Sequence, residues 1–368
     1  MNAGTPIDGL LERVLRADVR GLHGYAVQPS AGLIKLDTME NPYRLEPALQ
    51  AELGARLGRV AINRYPAERI DELRAALAQH ARMPEGCALT LGNGSDELIS
   101  MLTLACDRPG GHVLAPQPSF VMYELAARLQ GLPFTGVPLR ADFDLDLPAM
   151  LAAIERVQPT LLWLACPNNP TANLWDEAAI ETLVRAAPGL VVLDEAYQPF
   201  AARDGMALLA RHPQVLVMRT LSKFGLAGVR IGYLMGARAL VEQIDKLRPP
   251  FNVGVLNAEA ALFALEHAEV YARQARAIVD ERARLLRELA TLPAVQAFAS
   301  QANMILVRVP DAGACFAGMK ARGVLVKNVQ GLHPLLAGCL RLTVGTPAEN
   351  DAMLAALRNT LQEIGRCS

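Results

Sequence analysis

Between about residue 68 and residue 237 the chain alternates short apolar runs with segments of helical length, and that rhythm leaves few folds open. The runs are Ala88-Leu89-Thr90-Leu91, His112-Val113-Leu114-Ala115, Phe134-Thr135-Gly136-Val137, Thr160-Leu161-Leu162-Trp163-Leu164-Ala165, Leu190-Val191-Val192-Leu193, Val215-Leu216-Val217-Met218 and Ile231-Gly232-Tyr233-Leu234-Met235. Helix-length stretches lie between most of them, for example over 69–81, 96–106, 147–156 and 176–187. A strand apolar on both faces needs cover on both faces, and helices between successive strands supply it. The seven runs therefore predict an α/β fold with a mostly parallel seven-stranded sheet flanked by helices.

The pattern breaks at Arg248-Pro249-Pro250, after which 257–290 is almost unbroken helix former and reads as one long helix. Strands near Met304-Ile305-Leu306-Val307, Val324-Leu325-Val326 and Leu340-Arg341-Leu342-Thr343-Val344, with a last helix over 348–364, predict a smaller α+β unit. At the other end Thr5-Pro6 opens an amphipathic helix, and 21–47 is an aperiodic arm rich in Gly, Pro and aromatics. A chain of 368 residues can hold one large and one small domain. The expected division is 1–47 for the helix and arm, 48–250 for the large domain and 251–368 for the interdomain helix and small domain.

Lys plus Arg total 36 against 37 Asp plus Glu, a formal charge of -1, so no global field draws nucleic acid or an anionic membrane. Any anion must be bound locally. The apolar stretches fall short of the ~20 residues of a membrane span, and the first residues lack a basic flank with a hydrophobic run behind it. A cytoplasmic protein is expected. Six cysteines without paired metal spacing read as free thiols, with no metal site.

In open parallel sheets the ligand sits beyond the carboxyl ends of the strands. After the first run, Gly92-Asn93-Gly94-Ser95-Asp96-Glu97 is a glycine turn opening a helix, where free amides accept a phosphate; Ser95 equally reads as a plain N-cap. After the fourth, Cys166-Pro167-Asn168-Asn169-Pro170-Thr171-Ala172 is a rigid loop that can turn an amide inward, although turn formation alone accounts for it. After the fifth, Asp194-Glu195-Ala196-Tyr197 sets a carboxylate at a buried strand end. Unless it is a structural cap, it calls for a cation such as a pyridinium, an attraction on the order of 4 kcal/mol at ~4 Å and an effective dielectric of about 20. Between the sixth and seventh runs lies Thr220-Leu221-Ser222-Lys223-Phe224-Gly225-Leu226-Ala227-Gly228-Val229-Arg230. A lysine held there is either solvated on a surface loop or an amine kept ready for covalent chemistry. Ser222 and Arg230 suit a phosphate, and lysine, hydroxyl and guanidinium together are what pyridoxal phosphate requires.

Asn-Pro-Thr, Asp-Glu-Ala-Tyr and Ser-Lys followed seven residues later by Arg resemble the fold-type I pyridoxal-phosphate aminotransferases over nearly the whole chain. Within that superfamily Leu36-Asp37-Thr38-Met39-Glu40-Asn41-Pro42-Tyr43, Asn63-Arg64-Tyr65-Pro66, the lysine loop and Cys339-Leu340-Arg341-Leu342-Thr343-Val344-Gly345-Thr346 are similar to the histidinol-phosphate aminotransferase family. The resemblance implies transamination of histidinol phosphate with 2-oxoglutarate, giving imidazole acetol phosphate and glutamate in histidine biosynthesis. It implies pyridoxal 5'-phosphate bound in the large domain of a homodimer, with the N-terminal arm packing on the small domain and the partner subunit.

Carried over by motif, Lys223 attaches the cofactor and then moves a proton, Asp194 pairs with the ring nitrogen, and Tyr197 and Asn169 bind the phenolic oxygen. Ser222, Arg230 and Gly94-Ser95-Asp96 hold the phosphate, Phe120 stacks on the ring, and Tyr65 reaches the cofactor of the other subunit. Arg341 clamps the substrate carboxylate or phosphate, with Tyr25, Asn41 and Lys327 as further substrate contacts. Three departures stand out: Ala172 replaces a glycine, one residue is missing between the lysine and Phe-Gly, and Lys327 stands where many relatives carry arginine. An aromatic amino-acid aminotransferase or a threonine-phosphate decarboxylase shares fold and cofactor. A non-catalytic effector-sensing domain would need a basic DNA-reading helix, which the chain lacks.

Overall fold

The computed structural model describes residues 6–22, 24 and 28–367. The chain forms two compact units, one ending at Gly32 and the other beginning at Leu33. The first contains the helices Pro6–Val14 and Ala17–Arg20, and the former carries the exposed apolar residues Ile7, Leu10, Leu11 and Val14.

In the second unit all seven apolar runs are strands of one sheet. The strand order is Cys87–Gly92, Gly232–Ala237, Val215–Thr220, Leu190–Asp194, Leu161–Ala165, Val113–Gln117 and Phe134–Pro138. Gly232–Ala237 runs antiparallel to both its neighbours, and the remaining pairs are parallel. Side chains alternate between two cores. Leu162, Leu164, Val191, Leu193, Val215 and Val217 enter one, while Leu161, Trp163, Val192, Leu216 and Met218 enter the other with the helices Ser95–Ala105 and Met122–Gln130. Period-two alternation of wholly buried residues is what a sheet covered on both faces requires.

A third core surrounds a four-stranded antiparallel sheet in the order Lys327–Asn328, Cys339–Thr343, Met304–Arg308 and Gln296–Ala297. The run expected as one strand over 324–326 divides its pairing. Val324–Leu325 pairs in parallel with Ile34–Lys35 of the arm, and Lys327–Asn328 joins the four-stranded sheet. The expected single helix over 257–290 is two helices, Val255–Glu266 and Ala268–Ala290. His267 leaves helical dihedrals between them, at φ −108° and ψ 30°. Its ring packs on Phe263 with centroids 4.3 Å apart, and its amide donates back to the Phe263 carbonyl. Among the described residues no helix is long and apolar enough to cross a membrane.

Trp163 lies at the centre of the sheet, fully buried, with its ring stacked on Tyr123 at 4.6 Å and its indole Nε1 without a hydrogen-bond partner. Trp163→Ala opens a cavity and is expected to cost about 3–5 kcal/mol. Trp163→Phe also removes the unsatisfied donor and is expected to cost under about 1.5 kcal/mol. Chemical denaturation of the two variants checks the difference.

Candidate active site

The parallel strands present their carboxyl ends along one edge of the sheet, and a cavity of about 360 Å³ opens there. Nine of the sequence-predicted residues line it: Ser95, Asp96, Phe120, Asn169, Asp194, Tyr197, Ser222, Lys223 and Arg230. They come from the carboxyl ends of five strands and the segments that follow them, which explains how residues far apart in sequence meet.

Lys223 sits in the turn Ser222–Leu226 that follows Val215–Thr220, and the turn kinks at Gly225, which leaves helical dihedrals at φ 140° and ψ 9°. Its Nζ donates to the Thr38 carbonyl at 2.9 Å and lies 5.9 Å from the centre of the Tyr197 ring. Burial pushes the amine down to about 8, and repulsion from Arg341 adds to the effect. The lysine is thus still largely protonated at neutral pH, but it reaches its neutral form far more readily than an ordinary lysine.

Asp194 is 5% exposed and accepts two hydrogen bonds, from the Tyr123 hydroxyl at 2.6 Å and from the Ala196 amide at 3.1 Å. Burial raises its carboxyl to about 6, against the pull of both donors. Glu195 points to the opposite face of the sheet. There Arg219 donates to it at 2.8 Å and the Gly205 amide donates as well, while Arg219 also bonds Asp204. Burial likewise raises the Tyr197 phenol, which keeps its proton and remains a donor.

At the other end of the cavity the helix Ser95–Ala105 points its first turn inward. Its cap is Gly94, at φ 80°, and Ser95 is the first helical residue with no side-chain capping bond, so the alternative reading of Ser95 as N-cap does not hold. The reason is steric. A Cβ on Gly94 would lie 2.5 Å from Arg230 Nη2, and one on Gly232 would lie 2.7 Å from the Gly94 carbonyl carbon, so strand, turn and guanidinium close up only without side chains. Arg230 Nη1 donates to Ser222 Oγ at 3.2 Å, and Nη2 stands 3.7 Å from Asp96. Free amides, a hydroxyl and a guanidinium thus converge as an anion cradle.

Arg341, 8% exposed on the strand Cys339–Thr343, donates from Nη1 to Asn169 Oδ1 at 2.6 Å and from Nη2 to the Asp37 carbonyl at 2.7 Å. The bond to Oδ1 leaves Asn169 its Nδ2 as the donor end. Lys327 is the register partner of Arg341 across the antiparallel pair, which puts both side chains on one face of that sheet. Asn41 does not line the cavity; its Nδ2 donates to Gln274 at 2.9 Å and to the Phe224 carbonyl at 3.4 Å, bracing the lysine turn from behind. Tyr65 is elsewhere, 76% exposed and stacked on Phe251 at 4.2 Å beside a second, arginine-lined cavity. Tyr25 lies outside the described residues.

Two participants escaped the sequence reading. Tyr123, three residues after Phe120 at the start of a helix, follows at the spacing that puts two residues on one helical face, a signal that was available. The segment Asp37-Thr38-Met39 supplies two backbone carbonyls, which no residue type announces. It is held by Met39 at φ 53°, whose amide donates to Thr343 Oγ1 and whose carbonyl accepts from Asn303.

The family model for aminotransferase class I and II matches residues 31–357. The chain is 66% identical over 363 residues to a histidinol-phosphate aminotransferase of Methylibium petroleiphilum, covering 98% of each chain. It is 60% identical over 358 residues to one of Polaromonas naphthalenivorans, covering 96% of this chain and 98% of the relative. Its fold is similar to the crystal structure of histidinol-phosphate aminotransferase from Sinorhizobium meliloti in complex with pyridoxal-5'-phosphate, with a TM-score of 0.84 and 25% identity over 95% of this chain and 98% of that one. A lysine between two strand ends, a buried carboxylate and a glycine-lined anion cradle thus stand on a sheet that known relatives share, and the chain belongs to the class I and II aminotransferases of fold type I.

Proposed function

We propose that this protein transfers the amino group of histidinol phosphate to 2-oxoglutarate with pyridoxal 5'-phosphate as cofactor, as a cytoplasmic homodimer. The observation that carries the reading is the convergence of a buried lysine with a depressed pKa, a buried carboxylate and the Arg230 cradle on one cavity, with a buried arginine bonded to its wall. High identity to histidinol-phosphate aminotransferases supports the choice of donor.

The residues fit the cofactor in charge and in shape. The cradle of Gly94, Ser95, Asp96, Ser222 and Arg230 accepts a phosphate at a helix N-terminus, and its backbone approach excludes any Cβ at Gly94. Asp194 offers a buried anion to the ring nitrogen, Phe120 offers its face to the ring, and Tyr197 and Asn169 Nδ2 offer donors to a phenolic oxygen. When bound, the cofactor supplies a conjugated cationic ring that stabilises negative charge at the substrate carbon losing its proton. Lys223 Nζ, already within the cavity and brought down to about 8, takes that proton in its neutral form and returns it one position away. Arg341, oriented by Asn169 and Asp37, binds the substrate's carboxylate or phosphate through its fork, and Lys327 adds a second positive charge beside it. Asn41 contributes by fixing the lysine turn, and Tyr25 belongs to the substrate's phosphate end. In the domain reading, residues 48–250 carry the cofactor and 251–368 carry the anion clamp.

The homodimer rests on Tyr65 and its surroundings. Tyr65, Ile62, Phe251 and Leu256 are large apolar residues left exposed, and Tyr65 is the residue that would reach a partner's cofactor phosphate.

A second cation favours a dianion over a monoanion. Histidinol phosphate is therefore expected to be preferred over phenylalanine in kcat/KM, and similarity to histidinol-phosphate aminotransferases sets it above threonine phosphate, with Lys327→Ala raising KM for histidinol phosphate about tenfold and leaving glutamate nearly unchanged. Arg341→Ala is expected to damage both half-reactions. Steady-state kinetics with these donors test the function, and equal turnover of all three would overturn the substrate assignment.

Only the neutral amine attacks an aldehyde. Attachment of the cofactor to the cofactor-free chain is thus expected to accelerate as pH rises through about 8 and to level off above it. A stopped-flow rate still climbing toward pH ~10, the range of an ordinary lysine, would contradict this.

Sedimentation velocity is expected to give a dimer for the native chain. Ile62→Asp, which sets a charge on the exposed apolar face, is expected to shift it to monomer with loss of cofactor affinity.

A further inference from the structure

We propose that Tyr123 is a positioning residue for the reaction: its hydroxyl anchors one oxygen of Asp194 and so holds that carboxylate, as an anion, toward the cofactor's ring nitrogen. The inference rests on the reading of Asp194 given above and deepens it. Tyr123 is 1% exposed at the start of the helix Met122–Gln130, its hydroxyl 2.6 Å from Asp194 Oδ2. Two rings fix it. It stacks on Trp163 at 4.6 Å with an interplanar angle of 6°, and it meets Phe120 edge to face at 5.7 Å and 85°. A phenol clamped in this way presents its oxygen at one place, so it dictates where Asp194 Oδ2 lies. The Ala196 amide holds the other oxygen, and the carboxylate has no rotamer left to exchange into.

The charge argument runs alongside the geometry. Both donors to Asp194 are neutral, so only hydrogen bonding offsets the loss of solvent around its charge. The ionisable groups that act on Asp194 are Tyr123 from the helix, Asp96 from the helix Ser95–Ala105, Cys166 from the loop after Leu161–Ala165, and Tyr197 from the turn after its own strand. Asp96 opposes ionisation, and burial holds the phenols and the thiol in their neutral forms. The Tyr123 proton therefore stays on its oxygen, and whenever Asp194 is ionised the bond runs from hydroxyl to carboxylate. Phe120 lies just before the helix and is linked to Tyr123 by ring contact and by the Tyr123 amide, which donates to the Phe120 carbonyl at 3.3 Å.

The test is the dissociation constant of pyridoxal phosphate from the full chain, measured by equilibrium dialysis between pH 5 and 8, for wild type, Tyr123→Phe and Asp194→Asn. Wild type is expected to lose affinity below a midpoint of about 6. Tyr123→Phe, which keeps the ring and deletes the donor, is expected to raise that midpoint by about one pH unit and to weaken binding roughly ten- to a hundredfold at pH 7. A chain with 3,5-difluorotyrosine at position 123, a stronger donor of nearly the same shape, is expected to move the midpoint down. That second variant also decides the matter should Tyr123→Phe fail to fold. Unchanged midpoints in the foldable variants, beside a crippled Asp194→Asn, would overturn the role of Tyr123 alone. An Asp194→Asn chain with wild-type affinity and turnover would overturn the reading of Asp194 and this inference with it.

Discussion

Desolvation is the constraint around which this site is built. Asp194, Glu195, Arg219 and Arg341 are each no more than 8% exposed, and an uncompensated charge in such surroundings costs several kcal/mol against a net stability of roughly 5–15 kcal/mol. Each must find partners. The sheet's two-residue period sorts them by sending Glu195 and Arg219 to one face and Asp194 to the other. Glu195 is met by a cation, but the two donors of Asp194 carry no charge. That difference between neighbours in sequence separates a structural acid from one with unused attraction for a cation. The same logic holds for Lys223, which burial brings toward neutrality instead of into an ion pair, and so toward nucleophilicity.

The sheet was legible because wholly buried strands are bound to be apolar at every position, and seven such runs stand out against amphipathic helices. The residues after those strands were legible because polar side chains at buried ends need a reason. What escaped has equally physical causes. Ile34–Lys35 is a two-residue strand, too short for any periodicity, and it pairs with the expected strand at Val324–Leu325 from the opposite end of the chain. The break at His267 lies in a run of good helix formers, and only packing on Phe263 marks it. Ser95 carried the usual capping side chain, but the space available selected Gly94 for the cap. Ala172, where relatives have glycine, sits at φ 64°, so the loop keeps the left-handed conformation that the missing glycine would have favoured.

The arm contributes through its backbone. Met39 occupies a left-handed conformation that costs on the order of 1–3 kcal/mol for a residue other than glycine, and Thr343 and Asn303 hold it there. In return, the carbonyls of Asp37 and Thr38 meet Arg341 and Lys223. A strained residue with two dedicated hydrogen bonds thus orients the anion clamp and the reactive amine by one short segment. Substitutions in 37–39 act on the site through dihedral angles, whatever side chain they introduce.

The clamp also has a place in time. Arg341 reaches Asn169 across 172 residues of sequence and Asp37 across 304, while the lysine, the carboxylate and the anion cradle all lie before residue 231. Closing such long loops is slow compared with local pairing. A ribosome therefore delivers the lysine and the anion cradle well before the strand that carries Arg341. Of the charged groups that meet around this cavity, Arg341 is thus the last to be made.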